Sequence, residues 1–409
     1  MPVVDHLSWT PMVIAKLQRV LPMSAVDAPV YEQLDLQGLT TGVERETAAA
    51  DDGEKIAEPF DPEDIDVVTK SMTVDLLVSR TRSEMIDLQP DFQRRWGVWD
   101  ARRQSRLIES LLLRIPLPVL YAAEDEDERW EIVDGIQRLS TIARFIDASV
   151  IGERPLVLTG LEYLSTYDGK TFEELSPRLQ LRLRETELVI HLIRKGTPAE
   201  VKFNIFARIN TGGIALSPQE LRHAITPGAA RKLLEDWSSL PEFIEATDNS
   251  VRTVRMDDRE LVLRFIAFFA LGLPQYRQPD MDGFLIRAMK AINGMSENQI
   301  SVMRLHFARA MWAATKIFGK DAFRKRYVAS AGRLPINKAL FEAVSVNLAF
   351  LTDEQIQKLA SKNDEVRNGL ILLCTDRAFE SAISQGTGDV AKVNRRFQMV
   401  QGLFQRVLG

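Results

Sequence analysis

The sequence is poor in the residues that build disulfides and most zinc sites. Its 409 residues include one cysteine, Cys374, and four histidines that are far apart along the chain. A single cysteine cannot form an intramolecular disulfide or a cysteine zinc cage, and scattered histidines form no cluster by proximity. These absences favour an intracellular protein, which we expect in the cytoplasm, and they disfavour a zinc enzyme.

Long apolar runs and a targeting signal are also absent. The longest apolar stretch, residues 265–273, is far shorter than the ~20 residues that span a bilayer. Asp5 and His6 stand where a secretory signal would carry positive charge. The sequence therefore predicts no transmembrane helix, no secretion and no membrane partner.

The net charge is small, but the charges are unevenly distributed. The chain has 52 Lys+Arg against 57 Asp+Glu, a formal net charge of −5. Residues 1–66 contain 14 acidic and 4 basic side chains, whereas residues 67–409 contain 43 acidic and 48 basic ones. We interpret residues 1–66 as an acidic, partly flexible arm. It is either a solvated tail or a segment that masks a basic site and competes with DNA.

Residues 67–225 have the pattern of an α/β domain. Apolar spacing predicts helices over 67–80 and 101–114, a β-hairpin over 119–133, a buried strand over 188–193, and helices over 198–209 and from 217 onward. Asp100 is the predicted N-cap of the second helix, and Ser217 with Glu220 forms a capping box. Residues 226–409 have helical periodicity almost throughout. The predicted class is α+β, an α/β core followed by an all-α domain.

The pentad Asp134-Gly135-Ile136-Gln137-Arg138 lies at a predicted strand-to-helix corner. A helix N-terminus offers unpaired N–H groups to an anion, and glycine permits close backbone approach. Arg138 adds a cation that binds phosphate through two hydrogen bonds, while Asp134 can hold a metal ion or orient a water. Gln137 can orient a water or contact a base. The competing interpretation is a tight turn whose arginine forms a structural ion pair.

An arginine-rich segment precedes this corner. Residues 90–106 contain five arginines and two tryptophans. Arginine forks bind phosphates, and arginine and tryptophan faces stack on bases. Arg95, Arg102 and Arg103 are therefore candidate DNA contacts. The alternative is a surface helix start in which Trp99 fills the core.

Charged residues also cluster in two predicted C-terminal helices. Arginines and carboxylates alternate over residues 255–264, which predicts pairing within the protein. Arg395 and Arg396 in the last helix lie either on a solvated face or against a DNA backbone.

Four sequence blocks, in this order, resemble the GmrSD restriction-endonuclease N-terminal family, a ParB-like family. The blocks are Pro90-x-Phe92-Gln93-Arg94-Arg95-Trp96, Ile108-Glu109-Ser110-Leu111-Leu112, Val133-Asp134-Gly135-Ile136-Gln137-Arg138 and Phe206-x-Arg208-Ile209-Asn210-Thr211-Gly212-Gly213 with Ser217-x-x-Glu220. The chain departs from the usual Asp-Gly-Gln-Gln-Arg motif at Ile136. If that side chain contacts a nucleotide, hydrolysis or base choice is altered or lost.

The resemblance implies a ParB/sulfiredoxin-like core over residues 67–225 that binds a nucleoside triphosphate, GTP or ATP, with Mg2+. Restriction systems that sense modified DNA are the implied setting. Carried over by position, the nucleotide-binding residues are Gln93, Arg94, Gly135, Arg138, Asn210 and Gly212. The implied catalytic residues are Asp134, Gln137 and Arg138, with Asp134 also the metal ligand.

Three functions remain open. The first is a DNA-associated nucleoside triphosphatase that switches affinity for DNA or for a partner nuclease of the defence system. The second is a ParB-like metal-dependent DNA nuclease that uses Asp134. The third is a non-catalytic recognition or assembly module, for which Ile136 is the sequence hint. Many relatives append an HNH nuclease, but His306 is the one histidine after residue 223, so we expect no such unit. A homo-oligomer is compatible with each function.

Overall fold

The computed structural model describes residues 31–34, 39–46, 65–88, 99–209, 216–328 and 332–409. Within these ranges a five-stranded mixed sheet has helices on both faces and is followed by a helical half. The predicted α+β class is confirmed. No described helix combines the length and the apolar character needed to cross a bilayer.

The elements are named here in chain order. The strands are β1 (Glu32–Leu34), β2 (Thr40–Glu44), β3 (Val67–Thr73), β4 (Ile86–Asp87), β5 (Leu120–Glu124), β6 (Trp130–Asp134) and β7 (Glu187–Ile193). The helices of the first half are α1 (Val74–Arg82), α2 (Ala101–Leu112), α3 (Ile136–Ile146), α4 (Pro177–Glu185), α5 (Ala199–Ile209) and α6 (Pro218–Ile225). Those of the second half are α7 (Ala229–Ser238), α8 (Pro241–Ala246), α9 (Asp257–Ile266), α10 (Met281–Asn293), α11 (Glu297–Phe318), α12 (Lys338–Ala349), α13 (Asp353–Ser361), α14 (Asn363–Thr375), α15 (Arg377–Ser384) and α16 (Val390–Leu408).

The large sheet has the strand order β3-β7-β5-β6-β4. The predicted hairpin is the antiparallel pair β5–β6, while β7 runs parallel to β5 and antiparallel to β3. The predicted helix over 67–80 is wrong in its first half. Residues 67–73 form β3, because four of its seven side chains are β-branched and every residue pairs with β7. The helix begins only after Thr73, whose hydroxyl accepts a hydrogen bond from the Leu76 N–H.

Each face of the sheet packs against its own helices. On one face, Ile132 of β6 belongs to a buried cluster with Leu139 of α3 and with side chains of α1 and α2. On the other face, Val133 packs with Phe206 of α5 and Leu221 of α6. Strand β6 therefore runs between two apolar cores, which fix the position of its C-terminal end.

The helical half surrounds a third core. Helices α7 to α16 enclose aromatic side chains that include Phe243, Phe307 and Phe341, with Phe243 in ring contact with both others. After β7 the described residues form no further strand beyond isolated bridges, which confirms the predicted helical character. Helix α6 touches both halves, since Leu221 packs on the sheet while Arg222 pairs with Glu260 of α9.

Part of the acidic arm is built into the helical half. Val43 is fully buried, the Glu44 carboxylate lies 2.6 Å from the Lys325 ammonium, and the Glu46 carboxylate lies 2.6 Å from the Arg264 guanidinium. A solvated tail is therefore the wrong description of residues 39–46. Their carboxylates neutralise cations inside the protein. Residues 47–64 lie outside the described part of the chain.

A network of buried charges joins the arm to three helices. Arg264 of α9 donates to Glu260 in its own helix at 2.9 Å, to Glu342 of α12 at 3.3 Å and to Glu46 at 2.6 Å. Glu342 also accepts from Arg396 of α16, and both of these side chains are fully buried. Burial raises the pKa of Glu260, but Lys338 and Arg264 outweigh it and hold that pKa well below its usual value. The predicted pairing of charges within residues 255–264 is confirmed for Arg264 and Glu260.

Neutralising Glu342 should strongly destabilise the protein. Glu342→Gln leaves the guanidinium groups of Arg264 and Arg396 buried with less negative charge, and breaking a buried pair costs about 3–5 kcal/mol. Urea denaturation measures the change in the free energy of unfolding. The control is Asp236→Asn, which breaks an exposed pair with Lys232 and should cost below about 1 kcal/mol. Equal losses in the two variants would contradict the network's role.

Candidate functional site

The predicted strand-to-helix corner is present where β6 passes into α3. Gly135 is the N-cap residue of α3 and has a left-handed backbone, with φ +91° and ψ 11°. A Cβ at this position would lie 2.2 Å from Leu120 Cδ2 and 3.0 Å from Arg138 Nη2. Glycine is therefore required by both the backbone angle and the space. The tight packing brings the first turn of α3 against the beginning of β5.

Arg138 stabilises this corner from a largely buried position. Its Nη2 donates to Asp134 Oδ2 at 2.8 Å, and its Nη1 donates to the carbonyl oxygens of Pro118 and Val119, the latter at 3.3 Å. The Arg138 side chain is 12% exposed, whereas that of Asp134 is 44% exposed. Burial lowers the pKa of Arg138, and the Asp134 carboxylate opposes that shift. The structural ion pair, one of the two sequence interpretations, is thus what the geometry shows for Arg138.

Ile136 faces away from the open side of the corner. Its side chain is 5% exposed and belongs to the apolar cluster between the sheet and helices α2 and α3. The departure from the family's usual motif therefore fills the core. It removes no polar group from the surface where a ligand would lie.

Gln137 connects the corner to the arginine-rich segment. The Trp99 N–H donates to Gln137 Oε1 at 3.4 Å, so the end of that segment lies beside the first turn of α3. Trp99 packs against the core, as in the alternative interpretation of this segment, and the Arg103 guanidinium lies 4.6 Å from its ring centroid. Gln93, Arg94 and Arg95 fall outside the described residues, and their roles stay predictions.

The predicted loop residues Asn210 and Gly212 also fall outside the described residues. The helices that flank them, α5 and α6, both pack on the face of the sheet that carries Val133. The Ser217 capping box at the start of α6 is confirmed, since its hydroxyl accepts from the Glu220 N–H at 3.1 Å and the Glu220 carboxylate accepts from the Ser217 N–H. In chain order, Asn210 and Gly212 thus come between two helices that cover the strand leading into the corner.

The predicted DNA-binding arginines divide into exposed and buried ones. Arg102, Arg103 and Arg395 are exposed. Arg102 and Arg103 occupy the first turn of α2, three and four residues after Trp99. Arg395 lies on α16, the last helix of the helical half. The first two arginines therefore belong to the neighbourhood of the corner by chain position, whereas Arg395 does not.

The prediction of Arg396 as a DNA contact is wrong. Its side chain is fully buried, where it donates to Glu342 and to the carbonyl oxygens of Ala382 and Thr387. The last helix turns this residue toward the helical core, and its guanidinium cannot reach a phosphate in solvent.

A cleft of about 830 Å³ lies at the other end of β6. It is lined by Trp130 and Glu131 of β6, Lys202 of α5, Arg231 of α7 and Lys290 of α10, among others. Trp130 is four residues before Asp134, which corresponds to roughly 13 Å along a strand. The cleft and the corner are therefore separate places. No local sequence pattern indicates the cleft, because distant elements supply its walls.

An ion pair at this cleft ties the sheet to the helical half. Arg231 Nη2 donates to both carboxylate oxygens of Glu131, at 2.9 and 2.7 Å, and to the Ala224 carbonyl oxygen at 2.8 Å. The two side chains are 18% and 15% exposed. Burial raises the pKa of Glu131 to about 7, even though Arg231 opposes the shift.

The Glu131 carboxyl should make stability fall as pH rises. Its pKa in the folded state, about 7, lies above its ordinary value of 4.5, so the folded protein binds more protons between these two pH values. Relative to Glu131→Gln, the wild type should lose about 2 kcal/mol of unfolding free energy between pH 5 and pH 7. Urea denaturation of both proteins across this range measures the difference. Parallel pH profiles would show that Glu131 does not titrate there.

Replacing Gly135 should test the packing of the corner. Gly135→Ala introduces both a left-handed strain and a clash with Leu120, with an expected cost of about 2–5 kcal/mol. The matched control is Gly169→Ala, which has φ +82° and no atom within 4 Å of an added Cβ. Thermal denaturation should show a clearly larger loss for Gly135→Ala. Equal shifts would mean that the clash is relieved without cost.

The side chains at the corner fit a metal ion that takes most of its coordination from a bound ligand. No grouping of three or more His, Cys, Asp or Glu side chains suited to a metal occurs in the described ranges. Asp134 offers a half-exposed carboxylate at the corner. Mg2+ bound to phosphates commonly takes one or two protein carboxylates and completes its shell with water. The corner therefore suits Mg2+ held through phosphates better than an all-protein metal site.

Residues 74–226 match the family described as GmrSD restriction endonuclease, N-terminal domain. The match begins with α1 and ends just after α6, so it includes the corner, its neighbouring strands and both helices that flank the loop. Comparison with curated proteins and with solved structures found no significant match to either. Over residues 74–226, which are less than half of its length, this chain is therefore similar to the GmrSD restriction endonuclease N-terminal domain family.

Proposed function

We propose that this chain is a DNA-associated, nucleotide-binding protein and nucleoside triphosphatase that works in a restriction system. The family supports the restriction-system role. The observation that carries the nucleotide part is the corner itself. There the N-terminus of α3 follows left-handed Gly135, beside the half-exposed Asp134 and beside Gln137.

The first turn of α3 supplies the proposed phosphate contacts. Backbone N–H groups at a helix N-terminus point toward a ligand, and the helix dipole favours an anion there. Gly135 has no side chain to block that approach. The phosphate contact thus comes from the backbone, which the packing of Leu120 and Arg138 holds in place.

Arg138 has a positioning role in this proposal. Its guanidinium is occupied by Asp134 and by two carbonyl oxygens, and little of it reaches solvent. It holds Asp134 Oδ2 and orients the carboxylate. We therefore expect Arg138 to act through Asp134 more than by contact with the nucleotide.

Asp134 and Gln137 are the side chains placed to act on the reacting group. Asp134 presents a fixed, half-exposed carboxylate that can orient a water, and Gln137 can orient a water but is not a base. Bound Mg2+ would neutralise phosphate charge, with Asp134 as its protein ligand. GTP and ATP both fit this chemistry.

DNA contact is proposed for the first turn of α2. Arg102 and Arg103 are exposed there, and the Arg103 guanidinium stacks on Trp99, whose N–H contacts Gln137. A nucleotide at the corner would therefore touch the same chain segment that carries the arginines. This connection is the proposed route by which nucleotide changes affinity for DNA, modified DNA included, or for a partner nuclease.

Two observations favour this function over the alternatives. A metal-dependent nuclease needs a metal held against the scissile phosphate, and the described residues include no group of three or more side chains suited to hold one. The non-catalytic module rested on Ile136, which is a core side chain and leaves the ligand side of the corner unchanged.

Asp134→Asn should abolish most nucleotide turnover while preserving the fold. Asparagine can still accept the hydrogen bond from Arg138, but it loses the charge that orients water and metal. Phosphate release from ATP and GTP with Mg2+ should fall about 100-fold. The control Asp236→Asn changes an exposed aspartate on α7 and should leave turnover unchanged. Wild-type turnover in Asp134→Asn would refute the proposed role of the corner.

A plasmid-nicking assay distinguishes the nuclease alternative from the proposed nucleoside triphosphatase. The full chain, incubated with Mg2+ or Mn2+ and no nucleotide, should leave supercoiled plasmid intact. Nicking that is lost in Asp134→Asn would instead support a direct nuclease.

A further inference from the structure

A row of polar side chains crosses four strands of the sheet and ends at the corner. Strand register places Asp134 of β6 opposite Tyr121 of β5, Tyr121 opposite His191 of β7, and His191 opposite Thr69 of β3. An irregularity in the pairing of β5 with β6 falls between Tyr121 and Ala122. It brings Asp134 into line with Tyr121 in place of Val133.

Side-chain contacts show that three members of this row share one face. The ring centroids of Tyr121 and His191 are 5.1 Å apart, with the rings inclined at 46°. His191 Nδ1 lies 2.9 Å from Thr69 Oγ1, in hydrogen-bond contact. The imidazole is therefore held between a hydroxyl and an aromatic ring, in a fixed position beside Tyr121.

This face is open over β3 and β7. Thr69 is exposed, Tyr121 and His191 are half-buried, and Val189 beside them is 40% exposed. Tyr121 packs at the edge of the cluster that α5 and α6 cover. A pair of rings at the edge of a covered region, on an otherwise open sheet surface, offers its remaining face to a flat ligand.

The spacing of the row connects these rings with the corner. Neighbouring strands lie about 4.8 Å apart, so His191 is two spacings, roughly 10 Å, from Asp134. The rings lie on the face that α5 and α6 partly cover, whereas α3 packs on the other face, so the nucleotide would pass the C-terminal end of β6. An extended nucleoside triphosphate can span this distance between its phosphates and its base. The cleft at the Trp130 end of β6 lies in another direction along the strand.

We propose that Tyr121 and His191 form the platform on which the base of the nucleotide stacks. The phosphates then occupy the first turn of α3, beside Asp134. This inference rests on the proposed function and adds the base-binding part of the same site. Stacking accepts any base because every base has a flat π-face, so the platform should discriminate weakly between ATP and GTP.

The test compares a nucleotide with its phosphate chain alone. Dissociation constants are measured for ATP, GTP and inorganic tripolyphosphate, each with Mg2+, on the full chain and on Tyr121→Leu, His191→Leu and Tyr121→Phe. Losing one stacking ring should weaken ATP and GTP binding by about 5- to 100-fold, and tripolyphosphate binding should not change. Tyr121→Phe keeps the ring and should bind nearly as the wild type does. Tyr163→Leu, at a tyrosine that is 74% exposed elsewhere, is the control.

The possible outcomes distinguish the proposed base platform from the proposed phosphate site at the corner. If Tyr121→Leu and His191→Leu bind nucleotides like the wild type, the platform is wrong while the corner proposal stands. If these variants lose tripolyphosphate equally, the rings support the corner structurally and the platform is again wrong. A wild type that binds no nucleotide overturns both proposals. Unchanged nucleotide binding with weaker DNA binding would assign the rings to DNA and overturn the platform.

Discussion

The guanidinium of Arg138 holds together the part of the fold on which the site depends. It links the end of β6, through Asp134, to the backbone that leads into β5, through the carbonyl oxygens of Pro118 and Val119. The left-handed Gly135 makes room for this arrangement, because any side chain would strike Leu120. The position of the α3 N-terminus and the orientation of the Asp134 carboxylate both follow from it.

The two ends of β6 have different tasks. The Asp134 end leads into the N-terminus of α3, where we propose that phosphates bind, and the aromatic pair lies on the next two strands of the same row. The Trp130 end borders a cleft where Glu131 and Arg231 join the sheet to the helical half. The buried charges around Arg264 then anchor the acidic arm to that half. A ligand bound at the corner would therefore contact the same strand, β6, that joins the two halves at its other end.

Features that depend on neighbouring residues were predictable from the sequence, and those that depend on tertiary packing were not. The Asp100 cap, the Ser217 capping box and the strand-to-helix corner follow from local backbone chemistry. The strand at 67–73 was not predicted, because its pairing with β7 outweighs the helical spacing of its apolar residues. The sequence did not indicate that Arg396 is buried, because its partner Glu342 lies in another helix.

The same limit on prediction from the sequence applies to the candidate site. The motif predicts that Asp134 and Gly135 share a corner, but the register that aligns Tyr121 and His191 with it comes only from the sheet. The most direct test of the account is a crystal structure of the full chain with a non-hydrolysable triphosphate analogue and Mg2+. The account predicts the phosphates against the first turn of α3, beside Asp134. Phosphates bound in the cleft at the Trp130 end of β6, with an empty corner, would contradict it.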